Sequence, residues 1–193
     1  RRFRQTGQQV VQHSRKPVSS DELGADDQFI FCELLNLDEC EIELERIKKD
    51  QILVSHLICN AGKSTYNTSG VDCLRNISSS INDNLIVTSN AVYAALKVFS
   101  ESLKTVTVIG SICGEESVTG APLEYSVSKS SLKAFTKLCS QKFSHMNVRF
   151  NLVTPGNLMF EGSVWERKRL QDELMFQRYL SENSPSGMIG NPD

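Results

Sequence analysis

The chain has no long hydrophobic run and no marked excess of either charge. None of its apolar stretches approaches the ~20 residues that a membrane span needs, and none has the composition of a signal peptide. The 21 basic and 23 acidic residues give a formal net charge of −2, which argues against nucleic-acid binding driven by bulk charge. The sequence therefore favours a protein that binds neither membranes nor nucleic acid.

The cysteines and histidines lack the spacing of metal ligands. The three histidines are scattered, and several of the six cysteines lie in apolar runs, which is typical of buried, reduced thiols in a cytoplasmic protein. We therefore expect no metal site and a cytoplasmic location. The cysteines are Cys32, Cys40, Cys59, Cys73, Cys113 and Cys139.

Length and composition fit one ordinary globular domain. The chain has 193 residues, of which 39% are hydrophobic and 23% are charged, and it has no internal repeat or linker. We therefore treat residues 1–193 as a single domain.

Apolar strand-like runs alternate with helical patterns along the chain. This order predicts an α/β protein of three layers, in which a doubly wound parallel sheet is covered by helices on both faces. Strands are predicted over 8–13, 28–37, 51–59, 105–110 and 147–153, helices over 38–50, 82–103, 123–144 and 165–180, and irregular structure over 64–80, 111–122 and 181–193.

Polar residues and glycines follow the predicted strands. Ligands of parallel α/β sheets bind at the carboxyl ends of the strands, so this clustering indicates a binding site along one edge. The residues concerned are Ser14 and Arg15 after the first strand, Asn36 at the end of the second, Asn60, Ala61 and Gly62 after the third, Ser111 after the fourth, and Pro155 and Gly156 after the fifth.

Ser111, Tyr125 and Lys129 form the pattern with the clearest chemical meaning. Residues four apart share a helix face, and a nearby ammonium is expected to lower the pKa of the Tyr125 phenol and make it a usable acid and base. Ser111 could hydrogen-bond the same substrate oxygen. The alternative is an exposed helix on which Tyr125 packs and Lys129 is solvated, because a Tyr-x-x-x-Lys pair alone is a weak signal.

In this order the motifs resemble those of the short-chain dehydrogenase/reductase family, in its single-domain form similar to 3-oxoacyl-[acyl-carrier-protein] reductases. Asn84 corresponds to the family's helix asparagine, and Ser111, Tyr125 and Lys129 correspond to its catalytic residues. The remaining matches are Cys59-Asn60-Ala61-Gly62 for the Asn-Asn-Ala-Gly motif, then Asn151, and then Pro155-Gly156.

The resemblance implies a Rossmann-like fold and NAD(P)-dependent interconversion of a small carbonyl compound and a secondary alcohol. Tyr125 would be the general acid or base, and Lys129 would lower its pKa and bind the nicotinamide ribose. Ser111 would hold the substrate oxygen, and Asn84 would position a relay water, although a helix-capping role for Asn84 remains open.

The resemblance also implies a set of cofactor-binding residues. Basic Ser14-Arg15-Lys16 stands where an acidic residue would bind the ribose hydroxyls of NAD(H). A guanidinium can bind a 2′-phosphate through two hydrogen bonds, so NADP(H) is favoured and NAD(H) remains possible. The alternative is that this segment is a solvated loop that binds neither. The full set is Ser14, Arg15, Asn36, Leu37, Asn60, Ala61, Gly62, Tyr125, Lys129, Pro155, Gly156 and Leu158.

The largest departure from the family pattern is the lack of a first strand and of the glycine-rich turn that lets a backbone approach the pyrophosphate. Without that strand, the segments 8–13 and 51–59 would have no shared partner. The first residue is Arg rather than Met, and Gly7 resembles a helix C-cap. We therefore expect the chain to be cut at both ends from a parent about a quarter longer.

Smaller departures concern single contacts. Cys59 replaces the first Asn of its motif, and Asn36 replaces an Asp that usually contacts adenine. Phe160 stands where a Thr often touches the nicotinamide amide, which leaves the Leu158 backbone for that role.

The segment from Pro155 to Trp165, together with Ser111-Ile112-Cys113-Gly114 and Gly120-Ala121-Pro122, is similar to those of bacterial surface-sugar dehydrogenases. This implies a sugar-like substrate beneath a lid over about 157–183, where Phe160 and Trp165 could stack on the substrate or only anchor the lid. The alternative function is a non-catalytic nucleotide-binding or interaction protein. Family members form dimers or tetramers, and Leu132, Phe135 and Leu138 suit either such an interface or a core face.

Overall fold

The structure, a computed structural model, describes residues 7–14, 28–64, 70–184 and 186–192. Arg15 and the predicted end of a helix before Gly7 lie outside the described residues. No helix in the described ranges is both long and apolar enough to cross a bilayer.

The described strands are all parallel and form two sheets. The pair β1 (Val11–His13) and β2 (Gln28–Ile30) makes one sheet. The other has the order β3-β4-β5, with β3 at His56–Cys59, β4 at Thr105–Ile109 and β5 at Arg149–Val153. Within the described ranges no strand pairs with both β1 and β3.

In the described ranges, helices connect β2 to β3, β3 to β4 and β4 to β5, as parallel pairing requires, and two further helices follow β5. The helices are α1 (Leu37–Lys49), α2 (Ile77–Ile81), α3 (Val87–Val98), α4 (Leu123–Lys142), α5 (Val164–Gln171) and α6 (Glu173–Asn183). A π-helical turn, Asn82–Ile86, joins α2 to α3, and 3-10 turns occupy Gly70–Asn76, Ile112–Gly114 and Ser144–Met146.

One hydrophobic core serves both sheets. Val106 and Val108 of β4 are fully buried, because they share one face of the central strand and this face packs into the core cluster. Val11 and Ile30 of the first sheet pack against the same core cluster. The predicted parallel α/β class is therefore confirmed, and the carboxyl ends of β3, β4 and β5 lead into the candidate site.

Several predicted boundaries were wrong. The strand predicted over 28–37 is paired only at Gln28–Ile30. Residues 31–34 keep the alternating burial of a strand, but no described strand pairs with them. The helix predicted over 165–180 is broken at Asp172, whose backbone is extended and whose side chain accepts from the Met175 N–H to start α6.

The proposed interface residues of α4 separate into two groups. Leu132 is a core residue and Phe135 packs partly buried against that core, so only Leu138 of the three lies exposed. For Leu132 the core interpretation is the correct one.

Candidate active site

The end of β4 and the helix α4 bring Ser111, Tyr125 and Lys129 to one open cleft of about 260 Å³. Ser111 follows β4, and its side chain caps the next 3-10 turn by accepting from the Cys113 N–H at 3.2 Å. Tyr125 and Lys129 lie one turn apart on α4. The lining residues are Asn60, Gly62, Lys63, Ser64, Ile109, Gly110, Ser111, Tyr125, Lys129, Pro155, Gly156 and Leu158.

Lys129 is a buried cation rather than a solvated one. Only 7% of the residue is exposed, and its Nζ donates to the Ile109 carbonyl oxygen at 2.9 Å. Burial lowers the pKa of Lys129 to about 8, since desolvation disfavours the charged form. The alternative of a solvated Lys129 is therefore wrong for this structure.

The expected lowering of the Tyr125 pKa by Lys129 is not found. Burial raises the pKa of Tyr125, and a hydrogen bond with the Ser111 side chain opposes that rise. Lys129 Nζ lies 5.8 Å from the centre of the Tyr125 ring and directs its hydrogen bond to Ile109 instead. At neutral pH, Tyr125 is accordingly a protonated phenol that contacts Ser111.

Asn84 lies in the π turn, fully buried behind the cleft. Its Nδ2 donates to the carbonyl oxygens of Lys63 and Ser80, both at 3.0 Å, whereas its Oδ1 has no hydrogen-bond partner among the described residues. A buried amide oxygen without a partner is uncommon and calls for a donor such as a water molecule. Asn84 lies inside the π turn, whose N-cap is Ile81, and its amide donates to two carbonyl oxygens, so the capping alternative is wrong.

Gly62 leaves room for the side chains of Asn84 and Lys129, which both approach its Cα. A Cβ atom built on Gly62 would lie 2.6 Å from Asn84 Oδ1 and 3.5 Å from Lys129 Nζ. Any side chain at this position would therefore displace the Asn84 amide, whereas the distance to Lys129 Nζ is an ordinary contact.

Gly114 has the same importance on the other side of α4. Its Cβ would lie 2.6 Å from the carbonyl carbon of Lys129 and 2.8 Å from the Lys129 oxygen. The turn after Ser111 therefore packs directly on the helix backbone at Lys129, which fixes the distance between Ser111 and the two α4 residues.

The residues predicted to bind the adenosine end do not line the cleft. Ser14 follows β1, and its N–H donates to the Ile30 carbonyl oxygen. Asn36 caps α1, with Oδ1 accepting from the Glu39 N–H and Nδ2 donating to Glu39 Oε1, and Leu37 begins that helix. Ala61 is exposed between two lining residues, Asn60 and Gly62.

Beyond Gly156 the chain forms the wall and the region predicted as a lid. Leu158 pairs with Gly190 as an isolated parallel bridge, and Asn157 Nδ2 donates to the Tyr179 hydroxyl at 2.8 Å. The Tyr179 ring lies 4.3 Å from that of Trp165, centre to centre. Trp165 thus packs against Tyr179 of α6, consistent with an anchoring role, and Phe160 is exposed.

Sequence reasoning missed four lining residues and one backbone feature. Lys63 and Ser64 come directly after the Asn-Ala-Gly motif, and Ile109 and Gly110 end β4 before Ser111, so proximity to motifs was the available signal. The π turn around Asn84 carried no such signal in the sequence, although π turns are common at functional sites.

The described lining of the cleft is compatible in charge and space with part of a dinucleotide. Its described lining contains the cations Lys63 and Lys129 and no carboxylate. A Cβ at Gly156 would meet no atom within 4 Å, so a ring can lie against the backbone there. In the described part of the chain, no group of three or more His, Cys, Asp or Glu side chains is placed to hold a metal ion.

A parallel α/β fold with a tyrosine and a lysine one helical turn apart at the carboxyl ends of its strands defines a dinucleotide-dependent oxidoreductase class. The family model described as short chain dehydrogenase matches residues 3–169. The chain therefore belongs to the short-chain dehydrogenase/reductase family, and membership supports NAD(P)-dependent oxidoreduction of small molecules as its general activity. No curated protein sequence matches the chain.

Solved structures share the fold at low sequence identity. The aldohexose dehydrogenase of Thermoplasma acidophilum, in ligand-free form, is 23% identical with a TM-score of 0.80, over 99% of this chain and 75% of that one. A short-chain dehydrogenase/reductase family oxidoreductase from Burkholderia thailandensis is 20% identical with a TM-score of 0.80, over 100% and 74%. ElxO with NADP bound is 22% identical with a TM-score of 0.79, over 98% and 79%.

Proposed function

We propose that the protein is an NADP(H)-dependent oxidoreductase that interconverts a carbonyl compound and a secondary alcohol, with Tyr125 as the general acid and base. The observation that carries the proposal is the meeting of Ser111, Tyr125 and Lys129 at one cleft, from β4 and α4. Folding does not require these three polar residues to meet in one concave site. The non-catalytic alternative gains no support from the comparisons.

Tyr125 acts on the substrate oxygen. Because burial raises its pKa, the phenol keeps its proton at neutral pH and donates it as a carbonyl is reduced. In the reverse direction the phenolate accepts the alcohol proton. Ser111 donates a hydrogen bond to the same oxygen and stabilises the charge that develops there.

Lys129 and Asn84 act behind Tyr125. Lys129 would bind the ribose hydroxyls next to the nicotinamide, and its pKa of about 8 allows it to pass a proton near neutral pH. Asn84 Oδ1, which has no partner among the described residues, would accept from a water that connects Lys129 to solvent. The cofactor, when bound, supplies or accepts the hydride.

The proposed choice of NADP(H) rests on Ser14 and Arg15. An arginine two positions after the first described strand suits a 2′-phosphate, and ElxO, which shares this fold, binds NADP. Asn36 and Leu37 would lie by the adenine, Asn60, Ala61 and Gly62 along the central ribose, and Pro155, Gly156 and Leu158 beside the nicotinamide.

The proposed substrate is small and polar, in the manner of a sugar, and is covered by residues 157–183 as a lid within a single domain. The similarity of the segment from Pro155 to Trp165 to surface-sugar dehydrogenases supports this class, and the fold neighbour from Thermoplasma acidophilum is an aldohexose dehydrogenase. We also propose a homodimer or homotetramer, since Leu123, Val127 and Leu138 lie exposed on α4 and family members commonly oligomerise.

Transfer of a label tests the function. The protein is incubated with NADPH in which both hydrogens at nicotinamide C4 are deuterium, together with a panel of keto sugars, oxo acids and 3-oxoacyl thioesters. We expect an alcohol product with one deuterium on its carbinol carbon, detected by mass spectrometry. As a control, unlabelled NADPH in heavy water should leave that carbon unlabelled.

An unlabelled carbinol carbon, or no product from any class by a protein that binds NADPH, would contradict the proposed reaction.

A further inference from the structure

A buried chain of hydroxyl groups joins α2 to the helix that carries Tyr125. Ser80 Oγ of α2 donates to Ser128 Oγ of α4 at 3.0 Å. Ser128 Oγ in turn donates to the Tyr125 carbonyl oxygen at 2.8 Å. Both serines are fully buried, so water does not compete for these hydrogen bonds.

Ser80 also holds Asn84. Its carbonyl oxygen accepts from Asn84 Nδ2 at 3.0 Å, and this amide is itself fully buried. One residue of α2 therefore fixes the Asn84 side chain through its backbone and the first turns of α4 through its hydroxyl.

Alanine would fill the same space between the two helices without any polar group to satisfy. Replacing two bonded hydroxyls by apolar groups of similar shape is often close to neutral for folding. The polar pair is therefore not explained by packing alone. The Ser80–Ser128 pair lies between Asn84 and Tyr125, and the proposed proton transfer needs these two residues at a fixed distance.

We propose that Ser80 is a positioning residue. Through Ser128 it fixes the position of the Tyr125 phenol relative to Ser111, and through its own carbonyl oxygen it holds the Asn84 side chain. The catalytic consequence of this inference rests on the proposed function, whereas the positioning of the phenol does not. Loss of the Ser80 hydroxyl frees the start of α4, and the Tyr125 phenol then moves relative to Ser111.

The proposal predicts a shift in the titration of the phenol itself. The hydrogen bond from Ser111 lowers the pKa of Tyr125 against the effect of burial, so weakening that hydrogen bond raises the pKa further. Fluorotyrosine placed at position 125 has a more acidic phenol, and fluorine NMR reports its midpoint at one site.

The experiment compares this midpoint in the otherwise unchanged protein and in Ser80→Ala. We expect an upward shift of about half a pH unit or more in Ser80→Ala, a threefold change in the ionisation constant. The same is expected of Ser128→Ala, which keeps the test valid if Ser80→Ala does not fold. The double variant should shift no further than either single one, because all three interrupt one chain.

Thr136→Ala is the matched control. Thr136 lies on the same helix, is also buried, and donates to the Leu132 carbonyl oxygen at 2.8 Å, a hydrogen bond that stays within α4. We expect its midpoint to match that of the unchanged protein. For turnover with tyrosine at position 125, we expect kcat to fall about tenfold in Ser80→Ala, with KM for NADPH within twofold.

The outcomes separate this inference from the proposed function. Unchanged midpoints in both serine variants, or an equal shift in Thr136→Ala, would overturn the positioning role. A midpoint shift in a protein that neither binds NADPH nor reduces any carbonyl would support the positioning role and overturn the function instead.

Discussion

Replacing Tyr125 by phenylalanine abolishes carbonyl reduction and leaves the affinity for NADPH nearly unchanged. The substitution removes only the hydroxyl that donates the proton, and a positioned general acid contributes about 10²–10⁴ in rate. The aromatic ring stays, and Lys129 Nζ lies 5.8 Å from the centre of that ring. The packing around Lys129 is therefore preserved. Initial rates give kcat, and calorimetric titration gives the NADPH dissociation constant.

Tyr93→Phe is the control for this substitution. Tyr93 lies exposed on α3 and is not part of the cleft lining, and we expect its loss of a hydroxyl to leave kcat within twofold. Full activity of Tyr125→Phe would remove Tyr125 from the mechanism, whereas loss of NADPH binding would show that the hydroxyl serves binding rather than proton transfer.

Replacing Gly114 by alanine should damage both stability and turnover. The added methyl group would lie 2.6 Å from a backbone atom of Lys129, and a helix backbone cannot yield as a flexible side chain can. Overpacking of this kind typically costs about 1–3 kcal/mol of unfolding free energy. A shift of about 1 Å between Ser111 and α4 would lower kcat about a hundredfold, measured beside thermal unfolding.

Gly120→Ala, in the same loop, separates the clash from the loss of a glycine. A Cβ at Gly120 meets no atom within 4 Å, and the cost is limited to a left-handed backbone with φ of 79°. We expect a small loss of stability and normal kcat. If Gly114→Ala behaves in the same way, the turn after Ser111 does not set the geometry of the site.

The parts of the fold that were predicted correctly depend on local patterns. The apolar run over 105–110 indicated β4, and the pattern from Leu123 onward indicated α4. The strand over 28–37 was overestimated because pairing is a non-local property. Cys32 and Leu34 are buried in alternation with exposed neighbours, yet β2 ends at Ile30.

The sequence predicted which residues form the site, but not their pKa shifts or hydrogen-bond partners. Motif order indicated Ser111, Tyr125 and Lys129, because side chains at strand ends of parallel sheets meet at one edge. The direction of the shift in the Tyr125 pKa could not be predicted, since it depends on the burial of the phenol and on which group accepts the hydrogen bond from Lys129 Nζ. Ser80 and Gly114 were missed because only three-dimensional packing relates them to α4.

Calorimetric titration of the protein with NADPH, and separately with NADH, tests the central claim most directly. The account predicts saturable binding with a dissociation constant on the order of micromolar and a preference for NADPH of about tenfold or more, about 1.4 kcal/mol. Arg15→Ala should remove the preference and leave NADH binding unchanged. No binding of either nucleotide would contradict the account, because the cleft around Tyr125 and Lys129 would then not be a dinucleotide site in this chain.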